Sequence, residues 1–391
     1  MKFSLPTSLG CVREILIFAI ILYFAQGSLF PVGTIITQFA IIVILLISLF
    51  YCFKTILLDG SKNLFILLWG FFILLNFLGY LIALDFANPY YLGQIKVILL
   101  FSLPLFPFYF LARKGEFKES HLLRFFIIML ILSVIEFNYN KNVIISNRIS
   151  DNTNVVNNTS YYFALLLPYI FIFKNRIISI LSLFIILFFI LQGAKRGALI
   201  VGLVGAAFYI YYNLTSISPK RRITNYLFTI SGVLVSLFYL YDYFLNNEYL
   251  IERIANISEG GSGRDIIFIN LLNNWYNSDN LFNILFGYGF ASTLKYSGTG
   301  HFAHNDWLEL LTNFGILGVG LYLLIFLNMM FMLFSKNLSY QYKFILISII
   351  FMWFFNTLFS MVYTSYSGIL LMVILSFLIA KKYSKSNSNI I

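Results

Sequence analysis

The chain has 391 residues, of which 60% are hydrophobic and only 10% are charged. A soluble domain carries roughly 25% charged residues, so this composition excludes a soluble enzyme or binding domain and predicts a polytopic membrane protein. The formal charge of +11 would suggest a nucleic-acid partner in a soluble protein. Here we expect no nucleic acid and attribute the charge to topology, because cytoplasmic loops of membrane proteins collect Lys and Arg.

Apolar runs along the chain predict the membrane-spanning helices, since one span needs roughly 20 apolar residues. We expect about twelve spans, which form a single all-α integral membrane domain over 1–391 and leave both termini on one side. The predicted spans are 14–30, 35–53, 63–84, 95–112, 122–138, 160–173, 177–192, 197–213, 225–244, 307–334, 343–360 and 365–380.

The basic residues orient this arrangement. Eighteen of the 26 Lys and Arg residues fall on the side that holds both termini, and most acidic residues fall on the other. The side rich in positive charge is normally cytoplasmic. The sequence therefore predicts cytoplasmic termini and an outer side that carries one large loop, 245–306.

The first candidate site is the turn that contains Lys195 and Arg196, between the seventh and eighth predicted spans. Basic residues are disfavoured on the outer side. The preceding span has about 16 residues, or roughly 24 Å of helix, so we expect both cations to lie slightly below the membrane surface. The alternative is a locally inverted topology with an ordinary cytoplasmic loop, and charge counting leaves it open.

The second candidate is Arg264 in the large outer loop. It follows the glycine-rich stretch 258–263 and starts a segment, Arg264 to Tyr276, whose apolar residues recur at helical spacing. This pattern predicts a short amphipathic helix. A guanidinium beside a helix N-terminus favours anion binding, because the side chain and the backbone N–H groups then point the same way. The alternative is a solvated surface arginine.

The third candidate surrounds the start of the apolar run 308–334 and contains His301, His304, Asn305, Asp306 and Glu309. Ionisable groups at the mouth of a membrane helix predict a functional site. The alternative is a pair of solvated loop histidines beside acidic residues that suit a helix N-terminus. A metal site is a competing idea, since the histidines are three residues apart and two carboxylates follow. The H-E-x-x-H pattern is absent, and we expect no metal and no other cofactor.

Taken in order, the three sites resemble the motifs of one family. The sequence KRGA at 195–198 resembles the S-R-G-A element of bacterial O-antigen polymerases (Wzy) and O-antigen ligases (WaaL). The sequence SGRD at 262–265 resembles their second arginine element. The sequence HNDWL at 304–308, followed by NFGILG at 313–318, resembles their H-N-x-x-L…G-x-x-G element. The resemblance covers roughly 155–335, and Lys195 departs from it where the family often has Ser or Thr.

The resemblance implies a metal-independent, inverting glycosyl transfer at the periplasmic face of the bacterial inner membrane. The donor is a glycan on undecaprenyl pyrophosphate. Arg196 and Arg264 are expected to stabilise the pyrophosphate. His304 is expected to take the acceptor's proton or, if protonated, to orient the pyrophosphate. The residues expected to bind substrate are Lys195, Asn305, Asp306, Glu309 and His301.

The acceptor separates the two activities that the resemblance allows. A polymerase uses a sugar hydroxyl of another lipid-linked repeat unit, and a ligase uses the lipid A core. We favour the polymerase, because the chain resembles the shorter, Asn- and Tyr-rich polymerases. The expected partners are the lipid-linked oligosaccharide, membrane lipid and a chain-length regulator protein.

A transporter or flippase is the hypothesis from another class. It predicts buried charge at mid-membrane and Gly- or Pro-broken helices in matching halves. The sequence shows no matching halves. Arg196, Arg264 and His304 map to one membrane interface, which favours chemistry at the surface.

Overall fold

The computed structural model describes residues 7–59, 62–83, 88–146, 156–216, 223 and 263–384. Within these ranges the regular structure is helical, and nine helical segments are long and apolar enough to cross a membrane. The prediction of an all-α membrane protein is confirmed at this level. The count of twelve spans stays a prediction, since the predicted span 225–244 lies outside the described residues and two other apolar helical segments are shorter, at Ser160–Ile172 and Arg176–Gln192.

Helices overlap each predicted span that falls in the described chain, although some ends differ by up to eight residues and the predicted span 95–112 contains two helices. They are α1 (Ser8–Ala25), α2 (Ile35–Asp59), α3 (Leu64–Ala83), α4 (Pro89–Ser102), α5 (Leu105–Arg113), α6 (Glu119–Ser146), α7 (Ser160–Leu166), α8 (Arg176–Gln192), α9 (Arg196–Thr215), α10 (Arg264–Tyr276), α11 (Leu281–Phe286), α12 (Thr293–Tyr296), α13 (Asp306–Met332), α14 (Tyr340–Phe359) and α15 (Ile369–Ser384). Two 3₁₀ segments, Leu167–Ile172 and Tyr366–Gly368, complete the set.

Proline and glycine interrupt three of the apolar segments. Pro104 separates α4 from α5, and Pro168 lies where α7 tightens into the 3₁₀ segment. Proline lacks the N–H that a continuing helix needs, so the helix changes direction or type there. Gly315 breaks α13 by taking a positive φ of 61° inside it. Each interruption therefore has a residue-level cause.

Large aromatic side chains fill the centre of the bundle. Trp69 of α3 lies against Phe72, Phe101 and Trp353, and Phe72 stacks on Tyr322 of α13. All five are fully buried. Because they come from α3, α4, α13 and α14, they fix the mutual positions of the helices whose ends carry the candidate site.

The described part of the large loop is built onto α13. The predicted amphipathic helix is confirmed as α10, with the bounds that its apolar spacing indicated. The break at Gly315 leaves the carbonyls of Thr312 and Asn313 outside the helical ladder, and they accept hydrogen bonds from Tyr288 (2.8 Å) and Gly289 (3.1 Å). A Cβ at Gly315 would lie 2.5 Å from the backbone of Leu285. Only glycine therefore permits this contact between the loop and the membrane helix.

Gly287 and Gly289 offer a matched test of that contact. Both have positive φ, so Ala is strained at either, and Gly287 (φ 76°, ψ −171°) lies in a region essentially restricted to glycine. A Cβ at Gly287 would also overlap the backbone of Asn313, whereas a Cβ at Gly289 meets open space. Overpacking adds about 1–3 kcal/mol, so Gly287→Ala should lower the apparent Tm in detergent further than Gly289→Ala. Equal shifts would mean that the loop is not packed on α13.

Candidate functional site

The candidate site forms around the C-terminal end of α14. The last carbonyls of a helix have no partner within it, and here two of them accept bonds from residues that the motifs singled out. Asn305 donates its Nδ2 to the carbonyl of Leu358 (3.2 Å), and Arg264 donates Nη1 to the carbonyl of Phe359 (2.9 Å). The second and third motifs are therefore held at the same helix end.

The first motif reaches the same place through α9. A Cβ at Gly197 would overlap the hydroxyl of Tyr161 and lie 3.2 Å from Cβ of Phe359. The first turn of α9 thus packs directly against the end of α14. We call the basic residues at the starts of α9, α10 and α13, namely Lys195, Arg196, Arg264 and His304, the basic cluster. Three separate helices, α9, α10 and α13, begin at this cluster.

Each of these helices follows a residue in the left-handed conformation. The φ values are 48° at Ala194, 74° at Gly263 and 52° at His304. A non-glycine residue pays about 1–2 kcal/mol for this conformation. Such strain persists only where the surroundings fix it, and it is concentrated at functional sites. Of the three non-glycine residues with positive φ in the described ranges, Ala194 and His304 lie at the cluster, and the third is Ala291.

His304 is the titrating group of the cluster. Loss of surrounding water lowers its pKa from the ordinary 6.5, and the positive charges of Arg264, Lys195 and His301 lower it further. The imidazole is therefore mostly neutral at pH 7, with a free nitrogen that accepts a proton. The contributions of Lys195 and Arg264 also show that both cations lie near His304.

Asp306 and Glu309 lie inside the protein. Both are 0% exposed. Asp306 accepts hydrogen bonds from the backbone N–H groups of Val362 and Tyr363 and from the hydroxyl of Tyr322. It therefore ties the start of α13 to the segment after α14, and its predicted role in substrate binding stays a prediction.

Glu309 makes the corresponding attachment on the loop side. It accepts from the backbone N–H of Ala303 (2.7 Å) and from the hydroxyl of Thr293 (2.7 Å). These bonds fix the chain immediately before His304. Substrate binding by Glu309 likewise stays a prediction, and the contacts observed are positioning contacts.

Asn305 and His301 occupy different environments. Asn305 caps α13, because its Oδ1 accepts from the N–H groups of Trp307 (3.0 Å) and Leu308 (3.1 Å). Both the nitrogen and the oxygen of its side-chain amide are therefore hydrogen-bonded to protein groups. His301 is exposed, three residues further out along the loop.

The sequence did not single out Tyr161 or Ser360, which complete the cluster. The hydroxyl of Tyr161 interacts with Ser360 and lies near Arg264. Tyr161 is one of 27 tyrosines and stands at the start of an ordinary apolar run. No pattern in the sequence distinguishes it, because its position depends on the packing of α7 against α9 and α14.

In the described ranges, no group of three or more His, Cys, Asp or Glu side chains is arranged to hold a metal ion. Comparison with protein-family models and with curated proteins finds no match to the chain. The resemblance to the O-antigen enzymes therefore depends on three short motifs. In the structure, those motifs meet at one end of the bundle.

Titration of His304 tests the cluster directly. The chain has three histidines, so protein labelled with ¹³C-histidine should give three resolvable NMR signals, and His304→Gln assigns one. We expect its midpoint to lie below 6.5 and to rise in Lys195→Gln and in Arg264→Gln, because each substitution removes a nearby positive charge.

The matched control is Lys295→Gln, which removes an exposed positive charge elsewhere in the same loop. It should leave the midpoint of His304 in place. A midpoint that responds to neither Lys195→Gln nor Arg264→Gln would contradict the proximity of Lys195, Arg264 and His304.

Proposed function

We propose that the chain is an O-antigen polymerase, a membrane glycosyltransferase. It transfers an undecaprenyl-pyrophosphate-linked glycan onto a sugar hydroxyl of another lipid-linked repeat unit. The observation that carries this proposal is the gathering of Lys195, Arg264 and a neutral His304 around the end of α14. A cluster of cations beside a proton acceptor suits the transfer of a glycan from an anionic leaving group to a hydroxyl.

The starts of three helices suit a pyrophosphate. A helix N-terminus presents unpaired N–H groups and a partial positive charge, and anions bind there. When the bond between the anomeric carbon and the pyrophosphate oxygen breaks, negative charge grows on the leaving group. Arg264, Arg196 and Lys195 then stabilise the transition state more than the ground state, which is the condition for catalysis.

His304 suits the role of general base. Its lowered pKa leaves it unprotonated, so it accepts the proton of the acceptor hydroxyl as that oxygen attacks the anomeric carbon. Attack on the face opposite the pyrophosphate inverts the anomeric centre. The adjoining cap residue Asn305, bonded to Leu358, holds His304 at the site.

Two alternative functions differ from this one in testable ways. A ligase would use the same cluster with the lipid A core as acceptor. A transporter would use the helix breaks at Pro104, Pro168 and Gly315 as hinges. The ionisable residues of the three motifs are gathered at one end of the bundle, which favours surface chemistry over transport.

The proposal includes a location in the bacterial inner membrane, with cytoplasmic termini and the cluster on the periplasmic side. In a variant whose native Cys11 and Cys52 are replaced by Ser, single cysteines at Thr299 and Lys336 mark the two ends of α13. An impermeant thiol reagent should label Thr299→Cys and spare Lys336→Cys in spheroplasts. The reverse pattern would place the cluster in the cytoplasm and remove its access to the donor proposed here.

The lipopolysaccharide banding of a deletion strain tests the activity itself. A strain without a polymerase should carry one repeat unit on the core, whereas a strain without a ligase should carry bare core and accumulate lipid-linked polymer. Restoration of the wild-type ladder by the wild-type gene is the reference for all variants.

Variants of the cluster should separate chemistry from structure in that strain. Loss of one electrostatic stabiliser costs about 10²–10³ in rate, and loss of a general base costs about 10²–10⁴. Arg264→Ala and His304→Ala should therefore abolish the ladder at wild-type protein level. Arg264→Lys should restore it only in part, because bidentate phosphate geometry is lost.

His301→Ala is the matched control, since His301 lies three residues further out in the same loop. It should keep most of the ladder. Full activity of His304→Ala would show that the cluster is not the active site, and equal loss in both histidine variants would indicate a structural pair.

A further inference from the structure

A cavity lies beside the basic cluster. An open cavity of about 860 Å³ is lined by the ends of α1, α2, α4, α6 and α7 together with the segment after α14. Small-molecule sites have volumes of about 300–1,000 Å³, so this space suits a ligand of oligosaccharide size. The proposed transfer chemistry uses none of its lining residues.

Polar groups without partners line this cavity. Gln94 is only 6% exposed, and neither its Nε2 nor its Oε1 has a hydrogen-bond partner among the described residues. The same holds for the hydroxyl of Thr364. Buried polar groups are nearly always hydrogen-bonded, and each exception calls for an explanation such as a missing ligand. A bound molecule with both donors and acceptors would satisfy both side chains.

The remaining lining indicates a neutral, hydroxyl-rich ligand. Apart from tyrosines, its ionisable residues are only the buried Glu136 and the exposed Lys96. Tyr23, Tyr162 and Tyr366 supply aromatic surfaces and hydroxyls. Alternating apolar faces and hydroxyl groups are the chemistry of a saccharide, and the small number of ionisable groups sets this lining apart from the four basic residues of the cluster.

The cavity and the cluster adjoin at three points of the chain. Tyr161 faces Arg264 while the next residue, Tyr162, lines the cavity. Ser360 contacts Tyr161 while the next residue, Met361, lines the cavity. Phe302 lines it two residues before His304. Two residues of extended chain span about 7 Å, so a saccharide in the cavity lies close enough to present a hydroxyl to His304.

We propose that this cavity binds the acceptor saccharide, which Gln94, Glu136 and Thr364 hold so that its reacting hydroxyl faces His304. The inference rests on the proposed glycosyl transfer, because only that reaction makes the bound saccharide an acceptor. Its binding chemistry stands independently, because it concerns a saccharide without pyrophosphate.

Two separate titrations of purified full-length protein test the cavity. The first uses the host strain's repeat-unit oligosaccharide, freed from lipid and pyrophosphate by mild acid, and follows binding by saturation-transfer difference NMR. The second uses inorganic pyrophosphate and calorimetry. Loss of a buried polar partner weakens binding by about tenfold or more. Gln94→Leu and Glu136→Gln should raise the saccharide Kd by that factor and leave the pyrophosphate Kd unchanged.

Two further variants complete the design. Arg264→Gln should give the opposite result, with weakened pyrophosphate binding and normal saccharide binding. Gln341→Leu is the matched control, because Gln341 lies in the first turn of α14, at the other end of the bundle. It should change neither Kd. If Gln94→Leu loses both ligands through misfolding, the isosteric Glu136→Gln decides.

The outcomes separate the two proposals. Absence of saccharide binding in the wild type, or a wild-type saccharide Kd in both cavity variants, would overturn the acceptor site and leave the pyrophosphate cluster intact. Cavity variants that weaken the binding of pyrophosphate and leave that of the saccharide unchanged would assign the cavity to the donor and also overturn the inference. If the purified protein binds the saccharide normally but deletion of its gene leaves the ladder unchanged, the proposed polymerase activity is wrong.

Discussion

The carboxylate of Asp306 is the contact on which the arrangement of the site depends. It is buried, receives two backbone N–H groups from the segment after α14, and receives the hydroxyl of Tyr322. Tyr322 is in turn bonded by the indole of Trp353 (2.8 Å). A buried acceptor with several donors is strongly held, since each unmade bond would cost about 1–3 kcal/mol. The chain of bonds joins the start of α13 to the aromatic centre of the bundle.

This attachment to the buried centre of the bundle positions the residues that precede Asp306. His304 and Asn305 directly precede Asp306, so fixing the carboxylate fixes the residues before it. Glu309 secures the other side of the same turn by holding Ala303. Catalytic geometry must hold to about 0.5 Å, and a loop residue meets that requirement only when its flanks are bonded in this way. The two acids thus restrict His304 without facing the solvent.

Much of the architecture was predictable because it depends on local pattern. Apolar length predicted helices long enough to cross a membrane, and apolar spacing predicted α10 from Arg264 to Tyr276. The motifs located Lys195, Arg264 and His304, which the structure places near one another. Non-local packing was not predictable. The carbonyl of Phe359 as a partner for Arg264, and Tyr161 beside it, require the ends of distant helices to meet.

The burial of Asp306 and Glu309 was also not predictable from the sequence. Position in the sequence marked Asp306 and Glu309 as charges at a helix start, which fits either a solvated surface or a site. Their complete burial follows from donors supplied by residues 293, 303, 322, 362 and 363. A sequence of one chain does not reveal these partners, because they come from four separate segments.

The break at Gly315 has a consequence for biogenesis. Tyr288 and Gly289 bond to carbonyls that become available only where α13 is broken, and Arg264 bonds to the end of α14. The segment that carries Arg264 leaves the ribosome before either helix. It therefore has no docking surface until α13 and α14 have been inserted. The cluster is therefore assembled late, once α13 and α14 are in place.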